Sequence, residues 1–139
     1  MDNGYVSFEI AKLLKESGFN EKCQYFYAYF DNDYIRVFEL KPKKKAQNLA
    51  ENRYPCVSQQ SAMAWLRKNY IFIDIDTIIT TDKKVYFSAR IRTIEDGWST
   101  IAEFLEKSYE VVVDMALEYC CKYKRGILQK KVPNLTSIN

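Results

Sequence analysis

Asp74 and Asp76 are the residues whose spacing most directly suggests chemistry. Carboxylates two positions apart fall on one face of a β-strand, where they can share a divalent cation or work as an acid/base pair. The same spacing also builds half of a cross-strand charge ladder. Residues 85–93 carry Arg90 and Arg92 at the same interval. A three-residue loop at Thr81-Asp82-Lys83 then sets Asp74 opposite Arg90 and Asp76 opposite Ser88. The chain has no histidine, so the commonest general base, metal ligand and nucleophile partner is missing. The ladder is therefore the favoured reading, and no catalytic residue, metal site or cofactor is expected.

Cys23, Cys56, Cys120 and Cys121 show no CxxC spacing, and neighbours on a helix point about 100° apart. They read as buried small hydrophobes rather than reactive thiols or zinc ligands. Each glycine has a structural use: Gly4 in the lead-in, Gly18 and Gly126 after helices, Gly97 in a turn. None is left for a phosphate-cradling loop. No basic, apolar leader opens the chain and no apolar run approaches the roughly 20 residues of a membrane span. A reduced, cytoplasmic setting is expected, with no membrane partner.

A second constellation suits contact rather than catalysis. Tyr25, Tyr27 and Tyr29 alternate along one predicted strand, and Tyr34, Arg36 and Phe38 along the next. With Asp31-Asn32 as a two-residue turn, Tyr29 faces Tyr34, Tyr27 faces Arg36 and Tyr25 faces Phe38. Tyr86, Arg90 and Arg92 extend this face along a later strand. Tyr and Arg are favoured at interfaces because they offer large rigid area with polar ends. The net charge is +3. Nine cations fall in two runs, Lys41, Lys43, Lys44 and Lys45, then Lys122, Lys124, Arg125, Lys130 and Lys131, which leaves −6 for the rest. A Lys run beside a proline reads first as a solvated loop, and second as a phosphate-binding track.

The positioning elements follow from caps and periodicity. Ser7 and Glu9 start a helix whose Ile10, Ala11, Leu13 and Leu14 face inward before Gly18 ends it. Strands are predicted over 23–30 and 33–40. Residues 41–57, bracketed by Pro42 and Pro55, are expected to be the main exposed loop, with a weak helical turn over 46–53. Ser58 caps a helix over 59–69 with Ala62, Trp65 and Leu66 inward. Alternation then predicts strands over 70–79 and 85–93, the second with Val85, Phe87, Ala89 and Ile91 inward. Ser99 is expected to cap a short helix bearing Ile101, Phe104 and Leu105. Ser108 begins the longest helix, over 109–125, with Val112, Val113, Ala116, Leu117, Cys120 and Cys121 on its covered face. The tail at 127–139 is expected to fray.

These 139 residues suit one domain, since domains usually run to about 100–150 residues. The expected fold is α+β, a two-layer sandwich with one four-stranded antiparallel sheet, helices on one face, in the order α-β-β-α-β-β-α. Ser7, Glu9, Ala11, Leu14, Gly18 and Phe19 share their spacing with Ser58, Gln60, Ala62, Trp65, Asn69 and Tyr70. That echo raises the question of a duplication.

The segments Phe8 to Phe19, Ser58-Gln59-Gln60 with Ala62 and Trp65-Leu66-Arg67, and Ser108-Tyr109-Glu110 before Ala116 and Cys120 resemble a family of small uncharacterised proteins. Gut anaerobic bacteria and their phages or mobile elements encode it. The likeness spans most of residues 5–121. The Lys-rich loop, the Val111-Val112-Val113 start of the last helix and the tail after Gly126 depart from it. The resemblance implies a phage-associated, cytoplasmic protein and brings no catalytic residues with it. The leading functional expectation is a non-enzymatic module binding another protein or its own copy through the Tyr/Arg face. The alternative is a single-stranded nucleic-acid-binding accessory protein using that face plus the Lys clusters.

Overall fold

The computed structural model describes residues 4–30 and 34–126. Three helices begin at the serines that the sequence marks as caps. Ser7 Oγ accepts from the Ile10 N–H at 3.3 Å, Ser58 Oγ from Ser61 N–H at 3.0 Å and Ser108 Oγ from Val111 N–H at 3.3 Å. The helices are α1 (Phe8–Glu16), α2 (Gln59–Lys68) and α3 (Tyr109–Lys124). Gly18 takes the left-handed φ of +91° that lets the chain leave α1.

Among the described residues the strands number six, and they form two antiparallel three-stranded sheets rather than one sheet of four. The first sheet holds β1 (Lys22–Phe30), β2 (Tyr34–Lys45) and β3 (Arg53–Cys56) in the order β2-β1-β3. The second holds β4 (Ile71–Ile79), β5 (Val85–Thr93) and β6 (Thr100–Glu106) in the order β4-β5-β6. The α+β class stands, and the order is α-β-β-β-α-β-β-β-α.

Two of those strands replace other expectations. Residues 41–57 are not a loop: β2 continues to Lys45, a 3-10 turn spans Ala46–Asn48, and β3 pairs with β1. Ala46, Leu49, Pro55, Cys56 and Val57 are buried. Pro55 lacks a ladder N–H, and β3 is an edge strand, where that loss is tolerated. The helix expected after Ser99 is β6. Gly97 and Trp98 both adopt left-handed φ, +65° and +67°. The chain then runs back along the open edge of β5, whose unpaired backbone groups override a locally helix-like apolar spacing.

The β1–β2 register is one residue away from expectation. The turn residues lie outside the described residues, but the flanking ladder gives the count: Phe30 pairs with Tyr34, Tyr29 with Ile35, Tyr27 with Val37 and Phe26 with Phe38. Three residues separate the paired ends, not two. Because side chains alternate, a one-residue slip sends residues 35–39 of β2 to the opposite face, as far as the register shift that lies between Cys23 and Tyr25. The β4–β5 register matches expectation, with Asp74 opposite Arg90 and Asp76 opposite Ser88.

The helices stand between the sheets. On the first sheet, Phe8 of α1 lies edge-on to Tyr27 and Tyr54 at 5.8 and 5.4 Å. On its other side α1 meets α3, where Ser17 Oγ donates to the Cys121 carbonyl at 3.2 Å. Helix α3 in turn covers the inner face of the second sheet with Val112, Val113, Ala116, Leu117, Cys120 and Cys121, all fully buried. The two α-β-β-β units differ in strand order, with β1 central in one and β5 central in the other. Their shared spacing therefore reflects common helix-start chemistry at Ser7 and Ser58.

Polar ties join the layers. Lys15 Nζ donates to the carbonyls of Ala50 and Arg53, each at 2.7 Å, anchoring β3 to α1. Gln59 Nε2 donates to the Glu110 carbonyl at 2.8 Å and to Asp114 Oδ1 at 2.9 Å, and Ser7 also bonds Asp114. This joins the starts of α1 and α2 to the middle of α3.

Candidate binding surface

The two sheets turn their outer faces away from the helices, and those faces differ in charge balance. On the second sheet, Arg90 bonds Asp76 at 2.7 Å and Arg92 bonds Asp74 at 2.8 Å, so the carboxylates expected to form a ladder do form one, along its diagonals. Lys107 sits over the Tyr86 ring at 6.0 Å on the same sheet. Every carboxylate and guanidinium of that ladder has an opposite charge beside it, which leaves no free acid/base pair. Among the described residues no group of three His, Cys, Asp or Glu side chains is placed to hold a metal ion.

The outer face of the first sheet is unbalanced. Alternation along β1 puts Phe26, Ala28 and Phe30 there, and the register adds Arg36 and Phe38 from β2 and Arg53 and Pro55 from β3. Arg36 and Arg53 flank Ala28 from either side. Ala28 is too small to keep them from their neighbours. The Arg36 guanidinium lies 5.5 Å from the Phe38 ring centroid and that of Arg53 lies 4.8 Å from Phe26. The two phenyl rings stack on each other at 5.5 Å. The result is a row, Arg36-Phe38-Phe26-Arg53, across three strands. Each cation–π contact contributes about 0.5–1 kcal/mol at an exposed site, enough to hold the guanidinium in place.

No described carboxylate forms an ion pair with Arg36 or Arg53. Glu39, three residues beyond Arg36, pairs in register with Tyr25 and takes the Gln24 amide at 3.3 Å and Lys41 at 3.6 Å, and Glu51, two residues before Arg53, forms no ion pair with it. Phe30 and Phe38 remain 41% and 37% exposed on a wall that no described helix covers, whereas Phe26 and Ala28 on the same face are buried. At the far end of the face Lys22 pairs in register with Lys45, both exposed.

The residues expected to share one face are dispersed. Tyr25, Tyr27 and Tyr29 face α1: Tyr27 is buried and its hydroxyl donates to the Val6 carbonyl at 2.6 Å, Tyr25 lies edge-on to Tyr5 at 6.1 Å, and Tyr29 stacks on Phe8 at 6.0 Å. Tyr34 begins β2 opposite Phe30. Arg36 is on the outer face of the first sheet, and Tyr86, Arg90 and Arg92 are on that of the second. The two-residue turn was the source of the error, since it assigned Arg36 to the tyrosine side. The same turn hides Phe26, and Arg53 is hidden because residues 53–56 carry too little alternation to mark a strand. Counting Asp31-Asn32-Asp33 as the turn would have found Phe26 beside Phe38.

The basic clusters separate as well. Lys122 pairs with Glu118 at 2.8 Å, Lys124 lies over the Trp65 ring at 5.4 Å, and Arg125 pairs with Glu16 at 2.9 Å, so this cluster serves the helix packing. Lys130 and Lys131 lie outside the described residues. Lys43, Lys44 and Lys45 are exposed on β2, and Lys43 joins Lys22, Tyr25 and Ser58 around a cleft of about 160 Å³.

All four cysteines are free and buried, and burial pushes the Cys23 and Cys121 thiols up to about 11. They are core atoms, not nucleophiles. No helix among the described residues is long and apolar enough to cross a membrane. No family model, curated protein or solved structure matches this chain.

Proposed function

We propose that the protein acts by contact rather than catalysis, and that the outer face of the first sheet is its recognition surface. The observation that carries this reading is the Arg36-Phe38-Phe26-Arg53 row, with two guanidiniums seated on rings and paired to no described carboxylate. Arg36 and Arg53 stand on the two strands either side of β1, two like charges with no described carboxylate paired to them. A face that keeps them, beside exposed aromatic area, has the composition of an interface for an anionic partner. The second sheet offers a weaker case because its arginines are already neutralised. A phage or mobile-element setting belongs to the same proposal and rests on the resemblance over residues 5–121.

The test compares wild type with the double variant Arg36→Ser/Arg53→Ser after cross-linking in cells, quantifying both protein and nucleic acid recovered with each. Both side chains are exposed, so the melting temperature should fall by no more than about 7 °C, the most that losing two cation–π contacts of about 0.5–1 kcal/mol each would cost. Whatever wild type enriches should fall about tenfold or more with the variant, the loss that ~1.4 kcal/mol produces. Equal recovery from the two proteins would remove this face as the contact surface.

A further inference from the structure

We infer that the ligand of this face is a single-stranded nucleic acid, an inference that rests on the contact reading above. Two chemical demands must be met together: a repeating negative charge and a flat, unpaired base.

The charge demand is met by Lys22, Arg36, Lys45 and Arg53, four cations on one sheet face that form no ion pair with a described carboxylate: Glu21 beside Lys22 is taken by Lys68, and Glu39 by Gln24 and Lys41. Lys43 and Lys44 precede Lys45 at the register shift of β2, where Lys44 pairs with Cys23. An extended polyanion laid along β1 and β2 would meet positive charge over most of its path.

The base demand separates nucleic acid from an acidic peptide. Charge does not separate the two, because a guanidinium fork accepts carboxylate and phosphate oxygens alike, whereas only the nucleic acid carries at every repeat a base to lie on a planar face. Here two of the cations are arginines seated on phenyl rings. A guanidinium presents two planar faces, and one given to a ring leaves the other for a base. Phe30, 41% exposed two positions along β1 from Ala28, adds aromatic area beside the arginines. A duplex keeps its base faces stacked inside the helix and cannot use these planes, so the face suits a single strand.

The experiment is fluorescence anisotropy of the full chain with labelled oligo(dT) and oligo(U) of about 20 nucleotides, a matched duplex and polyglutamate, from about 50 to 200 mM salt. Single strands should bind with a log–log salt slope near −3, from roughly 0.7 per phosphate contact and the four cations. Arg36→Lys/Arg53→Lys keeps the charge and removes the planes. It should weaken binding about 5- to 100-fold while leaving the slope unchanged. Phe38→Ala should weaken it comparably, and Phe38→Tyr should not.

No single-strand binding at low salt, equal affinity for duplex or polyglutamate, or indifference to the Arg→Lys change would each overturn the inference. If oligonucleotides fail while Arg36→Ser/Arg53→Ser loses a cross-linked protein, the ligand assignment falls and the contact surface stands. If neither responds, both fall.

Discussion

The inward turn of the β1 tyrosines can be tested by removing one oxygen atom. In Tyr27→Phe the ring and its edge-on contact with Phe8 persist, and only the hydroxyl that donates to the Val6 carbonyl at 2.6 Å is lost. Tyr27 is 8% exposed and Val6 is 1% exposed, so water does not readily replace that donor. A buried carbonyl left without its partner costs about 1–3 kcal/mol. For 139 residues, roughly 2.1 cal/mol/K per residue gives an unfolding entropy near 0.29 kcal/mol/K. A loss of ~2 kcal/mol then lowers the melting temperature by about 7 °C. Tyr25→Phe removes the same atom two residues away, from a half-buried ring against Tyr5. It should change the midpoint by less than about 2 °C. Thermal unfolding followed by circular dichroism reads both. Alkaline spectrophotometric titration adds a second readout, because burial, reinforced by Cys56, holds the Tyr27 phenol well above its ordinary value. Equal shifts for the two variants, or a larger one for Tyr25→Phe, would refute the register and the burial it produces.

Burial raises the Asp114 carboxyl above its ordinary value, with the bonds from Gln59 and Ser7 pulling the other way and Glu9 adding to the rise. The native state then holds this proton more tightly than the unfolded chain, so the group's contribution is full below about pH 4 and is lost as pH climbs through the raised value. Denaturant midpoints of Asp114→Asn relative to wild type should therefore shift in the variant's favour between about pH 4 and 7, and a constant or opposite difference would contradict this. The four cysteines, all buried with raised thiol values, should resist a thiol reagent in the native protein and react together once denaturant unfolds it. Fast reaction of any one in buffer would show an opening the packing does not contain.

The parts legible in the sequence are those governed by local chemistry. Ser7, Ser58 and Ser108 cap helices because a side-chain oxygen two or three residues ahead of free N–H groups satisfies them wherever the helix lies. The α3 stripe from Val112 to Cys121 is buried because a 3.6-residue period places it on one side. The Asp74/Asp76 and Arg90/Arg92 ladder was also readable, since two strongly alternating strands joined by a short turn admit one register that buries both apolar faces.

What resisted was long-range pairing. Residues 53–56 have too little pattern to be recognised as a strand, and they become one because β1 has an open edge beside them. Residues 100–106 carry apolar side chains at a spacing that fits a helix, yet the free edge of β5 draws them into a ladder. Between β1 and β2 both faces carry aromatics, so hydrophobicity alone could not choose between a two-residue and a three-residue turn.

From sequence alone come the α+β class, the helix starts, the buried cysteines and the charge ladder, because each depends on neighbours within a turn or a hairpin. The tertiary structure decided the division into two sheets and the side on which Arg36 stands. That choice separates Arg36 from the tyrosines and sets it on the half-exposed Phe38, in the row that ends with Arg53 over the buried Phe26. The physical reason is the two-residue period of a strand: a single added residue in a turn leaves local preferences unchanged and inverts which side chains meet the core and which meet a partner.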